Sequence, residues 1–242
     1  RRPNIILILV DDLGYGDLGC FGNEVNQTPH IDRLASEGLR FTDFHSNGPM
    51  CSPTRAALLT GLYQNRFGPD FETALSAVDD RERGLPLDVL TIPEALKSDG
   101  YATAMYGKWH LGVEPPYLPT SYGFDDFRGL LTGDGDHHSH ISRSGTRDWW
   151  HNEQIEMEQG YSVDLITGHT INFLRRHRAR PCFVYVSHLA IHFPWQGPDE
   201  GPHRVEGGDY WNLTKLGPHE PGEVGPVVRQ MDGVADAVEQ LS

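Results

Sequence analysis

Positive charge is scarce in this chain. Its 242 residues carry 20 Lys and Arg against 34 Asp and Glu, a formal net charge of −14. So acidic a chain makes a poor partner for nucleic acid or an anionic membrane, because both are held by clustered Lys and Arg. A local basic pocket for a small anion remains compatible with it. Long apolar runs are also missing. The most apolar stretch, Ile5 to Val10, falls far short of the roughly 20 residues that a membrane-spanning helix needs. It reads as a strand rather than as the apolar core of a signal peptide, and no leader is legible ahead of it. Cysteine is sparse, with only Cys20, Cys51 and Cys182. Cys20 and Cys182 could pair, but nothing in the sequence requires it, and Cys182 in an apolar run reads as a small core residue. Cysteine usage therefore leaves the redox compartment open. No internal repeat is visible.

What is present is an ordinary globular composition, 38% hydrophobic and 22% charged, in a chain long enough to bury one large core. Residues 1–242 are read as one domain. Asn4 to Val10 is a continuous β-branched and aliphatic run, the pattern of a central strand buried on both faces of a parallel sheet. Thr28 to Gly38 reads as a capped helix ending at glycine, and Leu39 to Phe44 as a short alternating strand. Residues 53–60 form a helix, followed by a polar loop region to residue 86. Thr91 to Gly100 is a further helix with a glycine stop, leading into a strand from Tyr101 to Tyr106. A loop rich in proline and glycine runs from Val113 to about Ser144. Tyr161 to Arg176 is helical, Cys182 to Val186 is a second buried strand, 195–226 is a long surface loop, and Met231 to Leu241 opens a last helix. Strands alternating with helices indicate an α/β fold, a mostly parallel or mixed sheet with helices on both faces. In such sheets the ligand site lies beyond the carboxyl ends of the strands.

The polar clusters all follow strands and should converge there. Asp11-Asp12 follows the first strand, and two adjacent carboxylates repel each other unless a cation lies between them. Hard oxygen donors favour Ca²⁺ or Mg²⁺. Gly14-x-Gly16-x-x-Gly19 is formally a dinucleotide fingerprint. The acidic pair ahead of it would repel pyrophosphate and no clean helix opens after Gly19, so it reads as a false positive. In Cys51-Ser52-Pro53-Thr54-Arg55, Pro53 suggests a helix start with Ser52 as N-cap. Residue 51 would then sit where free backbone N–H groups and the helix dipole favour an oxyanion. Arg55, one turn on, offers a fork suited to sulfate or phosphate oxygens. Gly107-Lys108-Trp109-His110-Leu111-Gly112 places a lysine beside an imidazole. Ser187-His188-Leu189-Ala190-Ile191-His192-Phe193-Pro194 follows the second buried strand. Asp134-Gly135-Asp136-His137-His138-Ser139-His140 has its histidines too close together for a regular helical metal site and reads as a loop near the cleft.

Met50 to Gly61, the Gly-Lys-Trp-His-Leu-Gly segment and the run Pro3 to Gly22 resemble the formylglycine-dependent type I sulfatases, arylsulfatase-like, over nearly the whole chain. The resemblance implies an alkaline-phosphatase-like fold and sulfate ester hydrolysis, with a sulfated carbohydrate as the expected substrate. It implies that a formylglycine-generating enzyme oxidises Cys51, and that the hydrated aldehyde attacks sulfur. Asp11, Asp12 and residue 51 would ligate calcium. Arg55 would stabilise the nucleophile, Lys108 would contact sulfate, His110 would act as base, and His192 would contact sulfate and protonate the leaving alcohol. His140 would be a substrate contact, on a loop similar to one in arylsulfatases of the N-acetylgalactosamine-4-sulfatase kind. His188 is open to a structural or a functional role. A periplasmic, secreted or lysosomal location is implied. The family's later Asp-Asn-Gly strand and second lysine have no counterpart here, so the chain reads as truncated, with weakened cation binding and little activity alone. Phosphodiesterase or phosphonate monoester hydrolase activity and an inactive sulfatase-like fragment are the alternatives.

Overall fold

Among the described residues, six strands build one sheet: β1 (Ile5–Val10), β2 (Ala102–Gly107), β3 (Asp126–Gly129), β4 (Trp150–His151), β5 (Gln154–Ile155) and β6 (Cys182–His188). The structure, a computed structural model, describes residues 2–211. The strand order is β1-β6-β2-β3-β4-β5. β1, β6, β2 and β3 run parallel, while β4 and β5 add an antiparallel edge. The helices are α1 (Pro29–Glu37), α2 (Cys51–Thr60), α3 (Ile92–Ser98) and α4 (Ser162–Arg176). Among the described residues, no helix is long and apolar enough to cross a membrane.

The strands pack by alternation, since successive side chains point to opposite faces. On β2 and β6, Met105, Phe183 and Tyr185 enter a core with Trp109, Phe124 and Leu59 of α2. Their neighbours Ala104, Tyr106, Val184 and Val186 enter a second core under Ile166 and Phe173 of α4. Full burial of each large side chain contributes about 1.5–3 kcal/mol. α3 begins with a capping box, Thr91 Oγ1 accepting from Glu94 N while Glu94 returns to the Thr91 amide, which fixes the lead into β2.

The C-terminal end of β2 needs glycine. Gly107 has φ +112°, and a Cβ there would lie 1.9 Å from the Ser187 carbonyl oxygen. This close approach lets Lys108 N donate to that same oxygen at 2.8 Å, carrying the chain from the strand into the loop that bears Lys108 and His110. Gly107→Ala is expected to cost at least about 3 kcal/mol, because both the conformation and the space are lost. The shift in urea midpoint measures it.

Several expectations are corrected. β1 lies at the sheet edge among the described residues and is half-buried there, with Ile8 36% exposed. Residues 39–44 form no strand, and Leu39, Phe41 and Phe44 are exposed. The short strand β3 falls in the stretch read as loop, and β4 and β5 fall between that stretch and the helix read from Tyr161; all three lack a β-branched run and are held by pairing to their neighbours. The segment 61–86 is less polar in its packing than in its composition, since Phe71, Leu75 and Leu85 are buried. Of the loop 195–226, the described part to 211 has no helix or strand. It is not merely surface, because Gln196 and Arg204 are buried. The helix expected at 231–241 lies outside the described residues. Cys20 and Cys182 are both free thiols.

Candidate active site

The parallel strands bring Asp11, Lys108 and His188 to one sheet edge, each at or just after a strand end. α2 starts there as well. Its first residue is Cys51 and its N-cap is Met50. The expected cap, Ser52, lies inside the helix, where its hydroxyl accepts from Leu75 N at 3.0 Å. Pro53 still falls within the first turn, whose N–H groups need no intrahelical partner. Gly61 ends the helix in the left-handed conformation at φ +70°, as the sequence indicates.

Cys51 Sγ lies 3.1 Å from His110 Nδ1. The other ring nitrogen, Nε2, is 2.8 Å from the Leu75 carbonyl oxygen. A carbonyl can only accept, so the proton resides on Nε2 and the Nδ1 lone pair faces residue 51. Burial, then the charge of Lys108, pushes the His110 pKa down to about 3. The imidazole is thus neutral and able to take a proton from whatever residue 51 presents.

Behind this pair is a buried charge network. Asp11 bonds the Lys108 ammonium and lies 3.3 Å from Arg55 Nη2. Arg55 Nη1 donates to the Lys108 carbonyl at 2.8 Å, to the Tyr185 hydroxyl at 3.3 Å and to Ser187 Oγ. Burial opposes the charge on Asp11, but Lys108 and then Arg55 hold its carboxyl far below the usual range. Asp12, with φ +64°, is exposed.

These groups open on a cleft of ≈ 1370 Å³ lined by Asp11, Asp12, Cys51, Arg55, His110 and His192 among others. His192 Nδ1 lies 2.8 Å from the Phe193 carbonyl oxygen, so Nδ1 donates and Nε2 is left free among the described residues. The Asp12 carboxylate suits a divalent cation, since it lines the cleft with no hydrogen bond or ion pair among the described residues, whereas both Asp11 oxygens face cationic side chains. Two carboxylates are an incomplete shell, and no group of three or more His, Cys, Asp or Glu is gathered for a metal among the described residues.

Two expected contacts lie elsewhere. Lys108 is fully buried on Asp11 and does not line the cleft; an ammonium beside a carboxylate in a dry site pairs with it. His140 is buried, its ring stacked on Trp149 at 4.3 Å, and so it touches the loop rather than the cleft. His137 bonds Ser162 Oγ and His138 bonds the Gly197 carbonyl, so these histidines knit loops together. His188 is buried, neither ring nitrogen has a hydrogen-bond partner among the described residues, and it does not line the cleft. The glycine-rich turn opens no α-helix: it forms two short 3-10 turns, Tyr15–Asp17 and Gly19–Phe21, and a Cβ at Gly19 would meet the Asp32 carboxylate at 2.4 Å. Tyr185 and Ser187, which orient Arg55, carried no signal in the sequence beyond strand alternation.

Four buried histidines have depressed pKa values: about 3 for His110 and His137, about 4 for His140 and His188, in each case with burial the largest cause. The unfolded chain binds protons at these sites below about pH 6.5, and the native state does not. Stability therefore falls as pH drops from about 6.5 toward 4. Asp148, raised by burial to about 6, acts the opposite way in that window but stands alone. Urea unfolding at pH 5 should show at least about 2 kcal/mol less stability than at pH 7.

The sulfatase family model matches residues 3–239. The chain belongs to the sulfatase family. It is 34% identical to canine (Canis lupus familiaris) N-acetylgalactosamine-6-sulfatase over 252 residues, 96% of this chain and 45% of the relative. It is 51% identical to human (Homo sapiens) arylsulfatase A over 132 residues, 54% of this chain and 25% of the relative. Among solved structures, that of Ps i-CgsB superposes with a TM-score of 0.82 at 29% identity, covering 100% of this chain and 55% of that one. The α/β, mostly parallel sulfatase fold is therefore the fold of this chain, and the chain spans about half the length of the relatives it matches.

Proposed function

We propose that residues 1–242 carry the catalytic part of a sulfatase that hydrolyses a sulfate ester, with a sulfated carbohydrate as substrate. The observation that carries this is the 3.1 Å approach of Cys51 Sγ to the His110 Nδ1 lone pair at the start of a helix. Oxidised to formylglycine by a generating enzyme, residue 51 would supply a hydrated aldehyde, one oxygen to attack sulfur and a second hydroxyl to expel sulfate. His110 Nδ1 would take the proton of that second hydroxyl. The free N–H groups at the start of α2 and the Arg55 guanidinium favour negative charge at residue 51. Lys108 holds Asp11 ionised from behind. His192, when protonated on both ring nitrogens, would donate the Nε2 proton to the departing alcohol oxygen and keep the Nδ1 proton on the Phe193 carbonyl. Asp11 and Asp12 would hold the divalent cation, calcium or alternatively magnesium, which when bound polarises sulfate oxygens and stabilises an ionised nucleophile. A periplasmic, secreted or lysosomal site of action belongs to this reading.

The test is sulfate release from 4-nitrophenyl sulfate and from N-acetylgalactosamine 6-sulfate. The protein carrying this chain is made together with a formylglycine-generating enzyme. Release that is lost on chelation and restored by calcium is expected. No release from protein converted at residue 51, with calcium present, would refute the proposal.

A further inference from the structure

One residue in the cleft wall has no role in the chemistry above. Arg143 lines the same cleft as Cys51 and His192, with its side chain 22% exposed. Its guanidinium carbon lies 4.5 Å from the ring centre of Phe193 and 5.0 Å from that of Trp211. Two aromatic rings thus fix its position while leaving its edge open. Phe193 directly follows His192, so the guanidinium stands on the His192 side of the cleft.

Its charge is only partly balanced. Arg143 Nε donates to Asp134 Oδ2 at 3.0 Å, and Arg204 Nη2 donates to the same oxygen at 3.1 Å. Arg204 is 3% exposed, so one buried carboxylate is shared by two guanidiniums. The neighbouring carboxylate, Asp136, does not line the cleft. It is spent on the amides of His138, Ser139, His203 and Arg204 and on Gln196 Nε2. The surplus positive charge therefore falls at Arg143. Its two terminal amino groups have no hydrogen bond among the described residues, and they are the part of a guanidinium that grips an oxyanion with two parallel bonds.

The loop that carries it is pinned. Tyr210 N donates to the Arg143 carbonyl at 3.0 Å, and Gly207 N donates to the Gly145 carbonyl at 2.8 Å. Gly145 has φ +72°, and a Cβ there would lie 2.0 Å from the Gly208 oxygen, so only glycine permits this junction. A group held ready in this way binds without an ordering cost.

We propose that Arg143 holds a second anionic group, a sulfate or a carboxylate on the alcohol portion of the substrate. The preferred substrate is then a sulfated saccharide bearing at least two negative groups. This inference rests on the sulfatase reading and narrows its substrate class. The cleft, at ≈ 1370 Å³, exceeds the roughly 300–1,000 Å³ common for small-ligand sites and has room for more than one sugar.

The test is calorimetric binding to the protein with Cys51 unconverted, so that nothing turns over. The probes are glucosamine 6-sulfate, glucosamine 2-N,6-O-disulfate and a 6-sulfated disaccharide bearing a uronate carboxylate. At least one dianionic probe is expected to bind about tenfold tighter than the monosulfate, and which one does so identifies the second group. In Arg143→Gln that advantage should shrink to within about twofold, and Arg143→Lys should keep part of it. No preference in the unmutated protein overturns the inference, whether or not the variants fold. A preference that survives in Arg143→Gln overturns it as well. Failure of all three probes to bind would instead refute the sulfatase reading and this inference with it.

Discussion

Cys51→Ala is expected to lower sulfate ester hydrolysis by roughly four orders of magnitude or more, with the fold intact. Residue 51 opens on the cleft and faces a base held in the right tautomer. Alanine removes the nucleophile and leaves the helix start, the His110 ring and the Asp11 network in place. The loss should therefore appear in kcat and not in stability. Cys51→Ser should be nearly as damaging if oxidation at this position is what makes the nucleophile. A serine sulfate ester would have no second hydroxyl for His110 to deprotonate. The check is initial-rate kinetics on 4-nitrophenyl sulfate together with urea unfolding of the same preparations. A variant retaining a tenth of the activity would remove residue 51 from the chemistry.

The second large effect is on stability. Arg55→Met is expected to cost about 3–5 kcal/mol, the usual penalty for removing one partner of a buried ion pair. Arg55 is 1% exposed and spans Asp11, the Lys108 carbonyl, Tyr185 and Ser187. Burial works against its charge, yet Tyr185 and Asp11 keep it protonated. Methionine fills most of the volume but leaves Asp11 with Lys108 as its one remaining cationic partner and strands polar groups in a dry site. Arg55→Lys retains charge and loses the fork, so it should recover only part of the loss. Urea unfolding decides it. A cost below about 1 kcal/mol would mean that this network does not hold the strand ends together.

Much of this arrangement was legible because strand ends point the same way in a parallel sheet. Once Asn4 to Val10, Tyr101 to Tyr106 and Cys182 to Val186 are read as strands, Asp11, Lys108 and His188 must meet at one edge. The helix at Cys51 was legible from Pro53 and Gly61, although its start was misplaced by about two residues, since a proline anywhere in the first turn is tolerated. Three things were hidden. Whether a side chain in the cluster faces solvent or a neighbour depends on its partners, so Lys108 and His140 were placed toward the cleft although both are buried. Strands of two to four residues such as β4 carry no periodicity long enough to read. Arg143, Phe193 and Trp211 come from separate loops that only tertiary packing brings together.

The central claim is that residue 51 becomes an aldehyde and acts on sulfate from the start of α2. The direct measurement is the mass of the tryptic peptide spanning residues 41–55, from protein made in its native source. The account predicts the mass of a peptide with formylglycine in place of Cys51. A peptide carrying an unmodified cysteine, in protein that releases no sulfate, would contradict it.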